Sequence, residues 1–130
     1  MNQELKKHFE SIRKSKIFNS NQIIVILVGL QDGLSEDQVR MYADPKFNGS
    51  QMAEIEVGLE QGLSTDQVRM YADQKYDPYQ MAEIRESLQD GLSEDQVALF
   101  ADPKFNEFQM FDMRMKLEEQ NAHKYEDETR

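Results

Sequence analysis

Serine, histidine and clustered carboxylates are the groups of this chain that could do chemistry. Ser35, Ser64 and Ser93 stand at a constant spacing, but a serine becomes a nucleophile only beside a base, and neither His8 nor His123 accompanies them. The two histidines fall near opposite ends of the chain, each without a cysteine or second histidine close by, and read as surface residues. Asp32-Gly33 and Asp90-Gly91, each followed by Leu-Ser-Glu-Asp, have a superficial calcium-loop flavour. They lack the alternating ligands and the distal glutamate of an EF-hand. No catalytic, cofactor-binding or metal-ligating set is therefore expected.

The serines have a plainer use, visible once the elements around them are considered. Gly-Leu-Ser-x-Asp-Gln-Val begins at Gly33, Gly62 and Gly91, a step of 29 residues that carries a whole block of sequence with it. Units this short cannot bury an apolar face alone, so they must stack and share a core. Each unit opens with an aromatic, a capping residue and a glutamine three positions on: Phe18-Asn19 with Gln22, Phe47-Asn48 with Gln51, Tyr76-Asp77 with Gln80, Phe105-Asn106 with Gln109. That is a capping box, in which the Asn or Asp oxygen serves the N3 amide and the glutamine reaches back to the cap. A first helix, A, follows with Met52, Ile55 and Leu59 at helical spacing, repeated as Met81, Ile84 and Leu88. It stops at Gly33, Gly62 or Gly91, where a left-handed residue is needed.

The serine then caps a short helix B, with Gln38, Gln67 or Gln96 at its N3. Its buried face reads Val39, Tyr42, Ala43, and equivalently Val68, Tyr71, Ala72 and Val97, Phe100, Ala101. Asp-Pro at 44–45 and 102–103 is expected to end it, and Gln74 in place of proline predicts a slightly longer second B helix. Gly29, Gly58 and Ser87 recur inside helix A, where glycine costs about 1 kcal/mol relative to alanine. A repeated cost predicts close approach of a neighbouring helix. Lys116 holds that position in the last unit, which marks a cap. The fold expected is all-α: a right-handed-type α-solenoid of about eight helices.

Residues 1–17 form an N-terminal capping helix with Leu5, Phe9 and Ile12 on its buried face. Residues 18–117 hold the repeats (18–46, 47–75, 76–104 and a partial 105–117), and 118–130 a helix end and a frayed polar tail, fraying over 121–130. Cysteine is absent, which removes disulfides and thiolate metal sites and leaves a cytoplasmic location as the expectation. The run from Ile23 to Leu30 follows a basic start as a targeting segment would, but about 20 apolar residues are needed to span a bilayer. It also keeps register with the repeats, so it reads as a structural helix.

At the strings Gln51-Met52-Ala53-Glu54-Ile55 with Gly58-Leu59, and Tyr42-Ala43-Asp44-Pro45-Lys46-Phe47, the chain resembles a helical repeat of mobile-element and phage-related proteins of gut bacteria. The likeness covers residues 18 to 117, and Ser-x-Asp-Gln-Val makes helix B about a turn longer than in that repeat. The resemblance implies an α-helical accessory module with no catalytic residues to carry over.

Two kinds of surface could recognise a partner. Val25 and Leu27 are apolar where later units place Glu54 and Glu56, then Glu83 and Arg85. The N-terminal helix or a partner must cover them. Phe108, Phe111 and Met115 align with Tyr79, Ala82 and Glu86, on a last helix whose outer face should be polar. These five residues are the candidate protein-binding surface, and an apolar end also suits a homodimer. The second surface is acidic: the net charge is −10, while residues 1–18 carry five cations against two carboxylates. Over 19–47, 48–76 and 77–105 the formal charges are −2, −3 and −5. At about 10 Å per stacked helix this is roughly half the charge density of duplex DNA. Such charge disfavours direct contact with nucleic acid or membrane. Glu83, Glu86, Asp90 and Glu94 would form the face of an acidic nucleic-acid mimic, inhibiting a defence nuclease in the anti-restriction or anti-CRISPR manner. A non-enzymatic protein-interaction module is the first expectation and this decoy the second.

Overall fold

The computed structural model describes the backbone of residues 3–129; the side chains of Leu5 and of residues 125–129 lie outside the described residues. Among the described residues eight α-helices follow in order: α1 (Gln3–Ser15), α2 (Ser20–Gln31), α3 (Glu36–Arg40), α4 (Gly49–Glu60), α5 (Thr65–Arg69), α6 (Pro78–Gln89), α7 (Glu94–Ala98) and α8 (Glu107–Thr129). No strand occurs among the described residues. The long helices pack in chain order, α1 on α2, α2 on α4, α4 on α6 and α6 on α8, and each short helix packs on the long helix before it. The helical backbone of α8 continues through the tail expected to fray, as far as Thr129.

The helix starts are those the sequence encodes. Reciprocal capping boxes join Asn19 to Gln22, Asn48 to Gln51 and Asp77 to Gln80, and the serine boxes open α3, α5 and α7. Asn106 and Gln109 exchange the same pair of bonds at α8. The ends of α2, α4 and α6 are equally uniform. Gly33, Gly62 and Gly91 have φ of +89°, +97° and +100°, and the next leucine amide returns to the carbonyl of Gly29, Gly58 or Ser87. This is the Schellman closure, and a left-handed residue is its condition.

One end differs from expectation. α5 stops at Arg69, in register with Arg40 and Ala98, although Gln74 replaces the proline. Proline is not what ends these helices. The side chains of Asp44, Asp73 and Asp102 accept the amide two residues on (Lys46, Lys75, Lys104) at 2.9–3.0 Å, so aspartate forms the turn in all three units.

Each repeated glutamine has a further task. Having accepted the cap amide through Oε1, Gln22, Gln51 and Gln80 donate through Nε2 to the carbonyls of Phe47, Tyr76 and Phe105 at 2.6–2.7 Å. Those carbonyls lie 25 residues ahead, beside the cap of the next long helix. Each glutamine is almost fully buried. It therefore ties the start of one long helix to the start of the next.

The recurring glycine also gains a specific explanation. A Cβ on Gly29 would lie 1.8 Å from the Tyr42 hydroxyl, and one on Gly58 1.9 Å from that of Tyr71. The close neighbour is thus a phenol from the following turn, not a helix backbone. Both tyrosines donate to a carbonyl one turn earlier on the A helix, Val25 O at 3.3 Å and Glu54 O at 3.0 Å. Burial pushes both phenols well above their ordinary range, so they remain donors. In the third unit Phe100 lacks the hydroxyl and Ser87 supplies it, donating to Glu83 O at 2.7 Å. The three carbonyls are equivalent in the 29-residue alignment. Tyr with Gly, or Phe with Ser, are two ways of satisfying one buried acceptor.

Gly58→Ser alone is expected to destabilise the chain by about 1–3 kcal/mol through overpacking, and Tyr71→Phe alone by about 1 kcal/mol through the lost bond. The double variant, which recreates the third unit, should recover most of that loss. Additive losses in urea denaturation would refute the exchange.

Candidate functional site

Successive long helices meet through side chains whose positions repeat. Arg85 Nε of α6 lies 2.9 Å from Glu54 Oε2 of α4, and Arg114 Nη1 of α8 lies 3.0 Å from Glu83 Oε2 of α6. Both pairs span 31 residues, one repeat plus two, so they are consecutive rungs of a ladder. Arg85 extends its rung to Gln89, which bonds Gln61. Arg114 also meets Glu86 at 3.1 Å and comes within 3.9 Å of Asp90. Its guanidinium is nearly buried and lies over the Phe111 ring. Burial raises the Glu83 carboxyl above its ordinary range although the Arg114 charge pulls it down. Three of the four residues expected on an acidic face, Glu83, Glu86 and Asp90, are therefore gathered about one arginine. Glu94 sits apart in the first turn of α7.

The rung between α2 and α4 has no such pairing. Glu56 occupies the position of Arg85 and Arg114, and Val25 that of their carboxylate partners. Glu56 is only 5% exposed, and its Oε1 has no hydrogen-bond partner. Burial pushes this carboxyl up to about 7, helped by a hydrogen bond to Asp32, by the Asp32 charge and by Glu60. An acid has replaced a base where two helices meet, and protonation is its remaining means of neutralisation.

The apolar candidates divide between two places. Val25 and Leu27 on α2 are half-buried, and Val25 packs against the core. The exposed apolar residues there are Ile24 and Val28. Position 25 faces the next helix, as Glu54 and Glu83 do, and position 27 corresponds to the arginines that face the preceding one. On α8, Phe108 is 71% exposed, Phe111 is exposed and Met115 is half-buried. Position 108 is equivalent to Tyr79, itself 69% exposed, so aromatic side chains stand in line on α6 and α8. Leu99 is also exposed, beside Met113, Lys116 and Leu117 in a shallow apolar recess. Tyr79, Leu99, Ile24 and Glu56 escaped the sequence reading. The 29-residue alignment held a signal for two of them, since Tyr79 follows Asn21 and Ser50 in its column and Glu56 stands between Leu27 and Arg85, whereas Ile24 and Leu99 belong to columns that are apolar throughout.

The remaining polar candidates are dispersed. His8 lies 3.7 Å from Glu36, and His123 lies 3.6 Å from Glu119, at opposite ends of the molecule. Ser35, Ser64 and Ser93 accept helix amides as caps. Among the described residues no three His, Asp or Glu side chains converge as a metal site, and no helix is long and apolar enough to cross a membrane. The chain matches no family model, no curated protein and no solved structure.

The Glu56 carboxyl, raised in the fold, contributes stability that is fully present below about pH 4.5 and is lost as pH rises through about 7. On the order of 1–3 kcal/mol is at stake between pH 5 and 8. Glu56→Gln should flatten that part of the profile and exceed the parent in stability at pH 8. Urea midpoints at pH 5, 6.5 and 8 test this, and parallel profiles for the two proteins would exclude it.

Proposed function

We propose that the chain is a non-enzymatic helical repeat module, a right-handed-type α-solenoid whose units are 18–46, 47–75, 76–104 and 105–117, and that it binds another protein. The observation that carries this reading is the outward face of α8. Phe108 and Phe111 are exposed there, beside Asp112, which stands at the position where Glu54 and Glu83 meet the next long helix. Exposed aromatics on an otherwise charged surface are the residues from which protein contacts are built. The regular capping and closure of every unit fit a scaffold, with buried polar groups spent on joining helices. Kinship with the helical repeats of mobile-element and phage-related proteins and a cytoplasmic location belong to the same proposal. A net charge of −10 argues for a protein surface as partner in place of nucleic acid or anionic lipid.

The acidic decoy ranks second. Arg114 offsets one of the three charges of Glu83, Glu86 and Asp90, which leaves less unpaired charge to imitate a phosphate backbone. A homodimer through the α8 end would use the same apolar residues.

Affinity capture from the host with the intact chain should recover a discrete protein that a Phe108→Ser, Phe111→Ser bait loses. Equal recovery by both baits, or none above background, would remove the proposal, and release of only nuclease subunits by salt would favour the decoy.

A further inference from the structure

The interface that joins α4 to α6 and α6 to α8 has a defined chemistry. The receiving helix offers a carboxylate, Glu54 or Glu83. The arriving helix offers a fully buried methionine, Met81 or Met110, and four residues later an arginine that closes on that carboxylate. α8 repeats the receiving half. Asp112 stands at the position of Glu54 and Glu83, exposed, with Phe108 and Met115 on either side of it along the same helix face.

From this continuity we infer that the outward face of α8 docks an amphipathic helix of another protein, one presenting an arginine a single turn after a large apolar residue, with the arginine closing on Asp112. The inference rests on the protein-binding reading above and names the partner's chemistry. A second copy does not supply such a helix. Met81 and Met110 are fully buried within their own chain, and Arg114 is nearly so. α2 and α4 carry Leu27 and Glu56 where the arginine belongs. α1 has Phe9 and Arg13 at the right spacing, but Phe9 packs on its own core. The overall charge of −10 favours a basic arrival, and Phe108 and Met115 give the apolar flanks against which an ion pair with Asp112 would discriminate between partners.

The probe is a hydrocarbon-stapled peptide of residues 77–90, which carries Met81 and Arg85, titrated against the full chain by fluorescence anisotropy. Saturable binding is expected, weakened at least about tenfold by Asp112→Arg or Phe108→Ser. An Arg85→Asp peptide should regain most of the affinity for the Asp112→Arg chain. That charge exchange shows that the variant is folded, and it separates α8 from the internal Glu54 site. Absence of saturable binding, or binding indifferent to Asp112, overturns the inference. So does a dimer in sedimentation equilibrium that Phe108→Ser dissociates, because a second copy would then own the face. Host capture that depends on Phe108 and Phe111 but not on Asp112 would leave the protein-binding reading standing and remove this one. Empty host capture would remove both, whatever the peptide does, because the occupant inferred here is a helix of another protein.

Discussion

One carboxamide per unit joins each long helix to the next. The Oε1 of Gln22, Gln51 or Gln80 accepts the cap amide of its own helix, while its Nε2 donates to a backbone carbonyl beside the next cap. A buried amide left half-satisfied costs about 1–3 kcal/mol, so neither bond is dispensable once the glutamine is enclosed. The consequence is geometric. Helix starts are held at one depth, and the side chains lower down the helices meet in a constant register. That register lets a pair separated by 31 residues recur, as Arg85 with Glu54 and Arg114 with Glu83.

Within this register the units are chemically unequal. The Tyr–Gly and Phe–Ser combinations satisfy the same carbonyl with hydroxyls from different places, so the third unit preserves the bond while exchanging both residues. The interhelical rungs are less evenly matched. Two are ion pairs, and the first sets a buried Glu56 against Val25 and Asp32. A buried carboxyl without a cation is costly near neutral pH, so the α2–α4 junction is the electrostatically weaker one. The opposite end of the molecule keeps an exposed carboxylate, Asp112, at the same position between Phe108 and Met115. The first junction therefore buries a carboxyl with no cation beside it, and the last helix leaves a carboxylate exposed where its predecessors pair theirs.

Helix starts and glycine closures were legible to within a residue or two because they rest on contacts at short sequence separation. Asn48 with Gln51, Ser64 with Gln67 and the glycine at 62 all act within five residues, and all are where their types require. The second B helix shows the limit of such reading. Proline at 45 and 103 looked like the terminator, yet α5 ends in register without it because Asp73 forms the turn. Surface assignment was less reliable. Val25 and Leu27 were singled out by comparison between units, but the exposed apolar residues of that helix are Ile24 and Val28. Apolar character identified the helix; the direction of its neighbours decided which side was covered.

The acidic residues make the same distinction. Glu83, Glu86 and Asp90 read along the chain as an acidic cluster interrupted by Arg85 alone, while in the fold Arg114, 24 to 31 residues away, sits among them. By itself the sequence determined that the chain is helical, where α2 to α8 begin, where α2, α4 and α6 close on glycine, and that a 29-residue pattern recurs, since caps, closures and periodicity are local and act through neighbouring backbone groups. Only the tertiary structure decided which charges are neutralised, which carboxyl is buried alone and which apolar face stays open. Those properties depend on side chains a full unit apart, whose meeting is set by how one helix lies against the next.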